Sequence, residues 1–208
     1  MALATVDTVA ATNSRPVGHL HYARHFGVLA TATVVVLLLG HWDFFRNSLL
    51  ITFAINGAAH ACAIVLSLRT PAASLARKAA FLAIAAALSI LTLYVGAIGL
   101  ELFAMLPGNE RLYVVLGLCA LSGAITYGSL IRMFWIRTLF SRIILAMAVL
   151  CGFATSLAFF ARAHWEFLGA WWLAAAWWFA FSAGLWYFDT HGDVLRTRRK
   201  MALKRQRK

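Results

Sequence analysis

The chain has 208 residues, of which 62% are hydrophobic and only 12% charged, with a mean hydropathy of +0.79. A soluble domain is nearer one quarter charged, so the composition excludes a water-soluble fold of this size and points to lipid as the solvent. The formal net charge of +12 would suggest nucleic acid in a soluble protein, but Lys and Arg here fall between apolar runs and near the C-terminal end, where they set membrane topology.

Residues 1–24 are polar and mixed, and read as a flexible or surface-lying cytoplasmic arm. The polar stretch is too long for a cleaved leader, and no small-residue cleavage site follows the first apolar run. Six apolar segments follow, at about 25–42, 48–68, 79–101, 112–131, 143–162 and 166–188. A spanning helix needs about 20 mostly apolar residues. The first segment is the shortest and must borrow from His41–Phe45 or lie where the bilayer is thin.

The connections are short. Pro71 stops the second helix, since proline cannot continue it, and Pro107-Gly108-Asn109 is a turn. Between 131 and 142, Arg132, Arg137 and Arg142 alternate with Phe134, Trp135 and Phe140, a pattern that suits the membrane–water interface. Residues 189–208 form a basic cytoplasmic tail. The expected fold is an all-α integral membrane protein, a six-transmembrane-helix bundle spanning 25–188 with N-terminus and C-terminus cytoplasmic.

Orientation follows from the cations. With the N-terminus inside, 16 of the 19 Lys and Arg residues fall on inner segments, leaving Arg46, Arg111 and Arg162 outside. That bias requires an even number of spans and places the chain in a bacterial cytoplasmic (inner) membrane. The tail cations Arg196, Arg198, Arg199, Lys200, Lys204 and Arg205 are expected to meet anionic headgroups or an acidic partner protein. Nucleic acid is not expected, because no aromatic or groove-reading element accompanies them.

The second segment is the most polar. Thr52, Asn56, His60 and Ser67 share one helix face, which should point into the bundle because lipid offers polar groups no partner. An ionisable residue at that depth is a functional candidate, so His60 and Asn56 are the candidate cofactor or substrate contacts. The competing reading is that they fix helix packing. A b-type haem wants two axial histidines at similar depth. His60 falls near the middle of its helix, whereas His25 and His41 fall near opposite ends of theirs, so the pairing is poor and the cofactor stays open.

At the outer helix ends His41, Asp43, His164 and Glu166 offer imidazole and carboxylate chemistry suited to a divalent metal, though without a ligand motif such as HExxH. Trp171, Trp172, Trp177 and Trp178 crowd the sixth segment as a lipid or partner surface. Ala120, Ala124 and Gly128, and in the next segment Ala148, Gly152 and Ser156, form small-residue rows that allow close helix approach. Cys62, Cys119 and Cys151 sit within apolar runs and read as small hydrophobes.

No serine-protease, metalloprotease, Walker or dinucleotide motif occurs, and no acidic residue falls near a helix centre. Whether the chain is an enzyme stays open. The leading expectation is a non-catalytic membrane subunit (an anchor, scaffold or assembly partner) with a membrane protein partner or a second copy of itself. A small transporter or channel for an uncharged or lipid-like substrate is the alternative. An electron-transfer or enzyme subunit built on His60 or the outer His/acid group is the third.

Overall fold

The structure is a computed structural model that describes residues 18–39, 48–69, 73–137, 139–164 and 171–206; of residues 49, 108, 109, 162–164, 171 and 192–206 it describes the backbone only. Six helices make up the described chain: α1 (Tyr22–Leu39), α2 (Leu49–Ser67), α3 (Leu75–Leu102), α4 (Gly108–Phe134), α5 (Ser141–His164) and α6 (Trp171–Gln206). Five of them, α1 to α5, are long and apolar enough to cross a membrane. Large apolar side chains are freely exposed on the bundle exterior, among them Leu38, Leu91, Ile98, Phe153 and Leu157. A water-soluble monomer does not present so much contiguous apolar surface, and this exterior suits lipid.

Each helix packs on its neighbours in sequence, and α6 returns to pack on α1, so the six form a closed ring in chain order. The short connections make neighbours antiparallel. One end of the bundle gathers residues 18–22, 67–69, 73–77, 134–137, 139–141 and 185–191. There the N-terminal segment forms a strap: His21 N–H donates to Ser67 O (2.8 Å), Arg69 N–H donates to His19 O (3.1 Å), and Leu20 and Leu68 form an antiparallel bridge. Leu20 is fully buried. The described part of the polar arm, residues 18–21, is therefore held against the bundle, and α1 begins at Tyr22. α2 ends at Ser67, whose carbonyl has no donor four residues on because Pro71 carries no N–H, and the strap's His21 N–H takes that carbonyl instead.

Several helices run past the apolar segments read from sequence. α3 starts at Leu75, where Ser74 Oγ accepts from Arg77 N–H, and α4 extends from Gly108, directly after Pro107, to Phe134. Backbone hydrogen bonding continues past the hydrocarbon edge, so charged residues such as Arg77, Arg111 and Arg132 lie inside helices. Arg77 donates to Phe134 O and lies over the Trp135 ring, 5.0 Å from its centroid, which ties the start of α3 to the end of α4. At the opposite end Arg111 donates to Leu100 O and ties α4 back to α3. α6 is the longest helix at 36 residues, about 54 Å, so its basic end runs on beyond the bundle as continuous helix.

Packing is tightest at small residues. A Cβ on Gly57 would stand 2.5 Å from the Ala85 backbone oxygen, so α2 and α3 touch there backbone to backbone. Gly128 admits the Ile144 side chain of α5 in the same way. The main core surrounds Phe81, Ile131, Met147 and Phe181, all fully buried.

Candidate functional site

The polar face of α2 does point inward. Thr52, Asn56 and His60 line a partly open cavity of about 260 Å³ among α2, α3, α4 and α6, to which α5 contributes Thr155. The cavity runs from mid-bundle toward the end opposite the strap. Its walls are mostly apolar, with hydroxyls from Ser89, Thr92 and Thr126. Two of these satisfy themselves within their own helices: Thr92 donates to Leu88 O and Thr126 to Ser122 O, the usual refuge of a hydroxyl in an apolar helix. Ser67, the fourth residue of the α2 stripe, lies outside the cavity at the strap, where its hydroxyl donates to Ala63 O.

Four lining residues behave differently. Asn56 Oδ1, His60 Nδ1, Tyr127 Oη and Thr155 Oγ1 are buried and have no hydrogen-bond partner among the described residues. A buried polar group left unpaired costs about 1–3 kcal/mol. Four of the seven such side-chain atoms among the described residues belong to residues that line this one cavity, and each can donate to or accept from a bound molecule.

His60 forms the cavity floor. Its ring lies against Tyr127 (centroids 4.9 Å apart), Trp177 (5.5 Å), Phe181 (5.6 Å) and Trp178 (6.4 Å). Trp177 and Trp178 thus turn into the bundle and line the cavity, Trp178 being only 2% exposed. Trp177 Nε1–H donates to Ala120 O across the α4–α6 contact (3.0 Å), which fixes the indole as a wall. Trp172 is 37% exposed on the exterior, and the side chain of Trp171 lies outside the described residues.

Behind the floor, His60 Nε2 lies 3.1 Å from Ser182 Oγ, and His25 Nε2 lies 2.8 Å from the same oxygen. The two imidazoles meet edge to face with centroids 6.0 Å apart. Sequence position alone separates this pair, because His25 opens the first segment while His60 falls near the middle of the second. Yet α2 ends at Ser67 beside His21, so His60 is only two turns from the strap and His25 only one. Both rings close on a serine, and no gap between them would admit a macrocycle.

At the strap, Asp189 of α6 is fully enclosed. Its Oδ2 accepts from His19 N–H (2.6 Å) and from Tyr22 Oη (2.9 Å), and its Oδ1 lies 2.5 Å from His19 Nδ1. Sequence reasoning passed over Asp189 because it directly follows the apolar run and reads as a solvated helix end. Ser182 and Thr155 carried no sequence signal at all, since single hydroxyls in apolar helices are commonplace.

The outer metal candidates are not brought together by anything described. His41, Asp43 and Glu166 lie outside the described residues, as does the His164 side chain. Among the described residues there is no group of three or more metal-ligating side chains. The cations Arg196, Arg198, Arg199, Lys200, Lys204 and Arg205 fall on the extended part of α6, where only the backbone is described.

No family model matches the chain, and no curated protein or solved structure is significantly similar to it. The functional reading therefore rests on the cavity itself.

Proposed function

We propose that this protein is a six-span membrane protein with both termini on the cytoplasmic side, which holds a small, uncharged, amphipathic molecule inside its bundle as a carrier or channel does. The observation that carries this reading is the set of four unpartnered polar atoms (Asn56 Oδ1, His60 Nδ1, Tyr127 Oη and Thr155 Oγ1) on one otherwise apolar cavity. Apolar walls with a few convergent polar groups are the usual make-up of a ligand site, and 260 Å³ lies just below the range of about 300–1,000 Å³ for drug-sized ligands. Among the described residues no carboxylate, Lys or Arg lines the cavity, which suits a neutral molecule. Six spans are supported by α6, which packs between α5 and α1 and contributes Trp178, Phe181 and Leu185 to the buried interior. The orientation is supported by the excess of Lys and Arg in the segments at the strap end.

The test uses 4-propylphenol and propylbenzene, which differ by one hydroxyl. The phenol should quench Trp177 fluorescence saturably in the detergent-solubilised protein, and the hydrocarbon should bind at least tenfold more weakly after correction for micelle partition. Equal, unsaturable quenching by both would overturn the reading.

One observation favours the second reading, a subunit that docks a partner. α6 continues as an unbroken helix to Gln206, well past the rest of the bundle, and carries the basic cluster with it. Such a rod suits an acidic protein surface or anionic headgroups. Truncation after His191 with retention of the partner would remove the rod from that role.

A further inference from the structure

Ser182 joins three helices through one hydroxyl, and the chemistry of that junction is specific. A hydroxyl has one proton to donate. It cannot donate to His25 Nε2 and His60 Nε2 at once, so with both rings neutral at least one imidazole donates to Ser182 Oγ, and the relay uses the states in which the other accepts from it. Two arrangements of opposite polarity satisfy the same geometry. Ser182 and His25 are fully buried, and His60 is 1% exposed.

One side of this junction is the cavity, which His60 lines. The other side leads to the strap. The His25 ring touches Tyr22 (centroids 6.1 Å apart), Tyr22 Oη donates to Asp189, and Asp189 contacts His19, whose side chain is 46% exposed at the bundle end. Groups that can take up or pass on a proton thus run from mid-bundle to the strap end.

We propose that His60, Ser182 and His25 form a proton relay that joins the cavity to the strap end of the bundle. The proposal rests on the cavity reading in one respect: the far end of the relay is the cavity. A proton arriving at His60 forms a bond at Nδ1. The His60 Nε2–H bond breaks as that proton passes to Ser182 Oγ, and the serine's own proton passes to His25 Nε2. His25 then releases its Nδ1 proton on the side of Tyr22, whose ring centroid lies 6.1 Å away and whose hydroxyl donates to Asp189; no described group bridges this last gap, so the relay requires a water there. One proton enters, one leaves, and no electrons move.

The ionisable groups packed around the relay are Tyr127 of α4 with Cys62 of α2 beside it, Tyr22 of α1, and Asp189 and Arg69 at the strap. Among the described residues no carboxylate hydrogen-bonds either relay imidazole, so neither ring is pinned as a permanent cation. Ser182 does not line the cavity, so a substrate carbonyl has no access to its oxygen; the serine hydroxyl carries protons and does not act as a nucleophile.

The test is proton flux into pyranine-loaded proteoliposomes of neutral phospholipid, driven by a potassium diffusion potential with valinomycin. Wild type should exceed protein-free vesicles at least tenfold. Ser182→Ala should fall to the vesicle background, and Ser182→Thr should retain most of the flux. His25→Gln, which keeps a hydrogen bond to Ser182 but cannot titrate, should also fall to background, and it serves where Ser182→Ala does not fold. Wild-type flux no greater than that of protein-free vesicles, or undiminished flux in monodisperse Ser182→Ala or His25→Gln, would overturn the relay. The two readings separate cleanly: flux without saturable 4-propylphenol quenching retires the ligand site alone, and quenching without flux retires the relay alone.

Discussion

A side chain on Gly18 would occupy the place of the Asp189 carboxylate: its Cβ would stand 2.6 Å from Asp189 Oδ2. The strap passes so close to α6 that only a hydrogen atom fits between them, and this closeness lets the His19 N–H reach the carboxylate. Gly18→Ala should therefore lift the strap. Loss of the His19–Asp189 and His21–Ser67 bonds predicts a destabilisation of about 1–3 kcal/mol. Hydrogen exchange at the His19 and His21 amides is the direct measure and should speed up together, while exchange in α4 and α5 stays unchanged.

The α2–α3 contact makes a second prediction. Gly57→Ala places a methyl 2.5 Å from a backbone oxygen that cannot swing away, so the two helices must part. Overpacking of this kind costs about 1–3 kcal/mol, seen as a lower thermal midpoint by circular dichroism. Gly27 of α1 is the control. A methyl group on Gly27 would have nothing within 4 Å of it, and Gly27→Ala should leave the midpoint unchanged or slightly raised.

Thr155 tests whether the cavity trades stability for binding. Its hydroxyl is buried and unpartnered, so Thr155→Val removes an unsatisfied group at nearly constant volume. The ligand-free protein should gain about 1 kcal/mol in stability while its preference for 4-propylphenol over propylbenzene shrinks. A loss of stability in Thr155→Val would mean that the hydroxyl is satisfied in the native protein.

Much of this was legible in the sequence, for identifiable reasons. The period-four spacing of Thr52, Asn56 and His60 marks one helix face, and lipid forces such a face inward. The small residues Gly128 and Gly152 lie at the α4–α5 contact, where Gly128 meets Ile144 and Gly152 faces the Gly117 oxygen. The pairing of His25 with His60 was not legible, because depth counted from the middle of an apolar run ignores where the helix ends at the strap. The indoles of Trp177 and Trp178 illustrate a further limit. A run of tryptophans has the same composition whether it faces lipid or a cavity, and only the rotation of α6 set by its contacts with α1 and α5 decides which. Ser182 and Asp189 acquire their meaning from residues far away in sequence on other helices, and Thr155 from the cavity that residues of α2, α3, α4 and α6 line with it.

The central claim is that the space beside Trp177 is a binding site, and filling it is the most direct test. A Cβ on Gly123 would meet Thr92 at 3.7 Å and Trp177 at 3.9 Å, ordinary contact distances, so Gly123→Leu can project its side chain into the cavity without displacing backbone. The measurement is a fluorescence titration of this variant with 4-propylphenol, alongside its thermal midpoint. The account predicts that saturable quenching disappears while the midpoint holds or rises, since cavity filling stabilises. Quenching that persists with wild-type affinity in a folded Gly123→Leu protein would place the ligand elsewhere and contradict it.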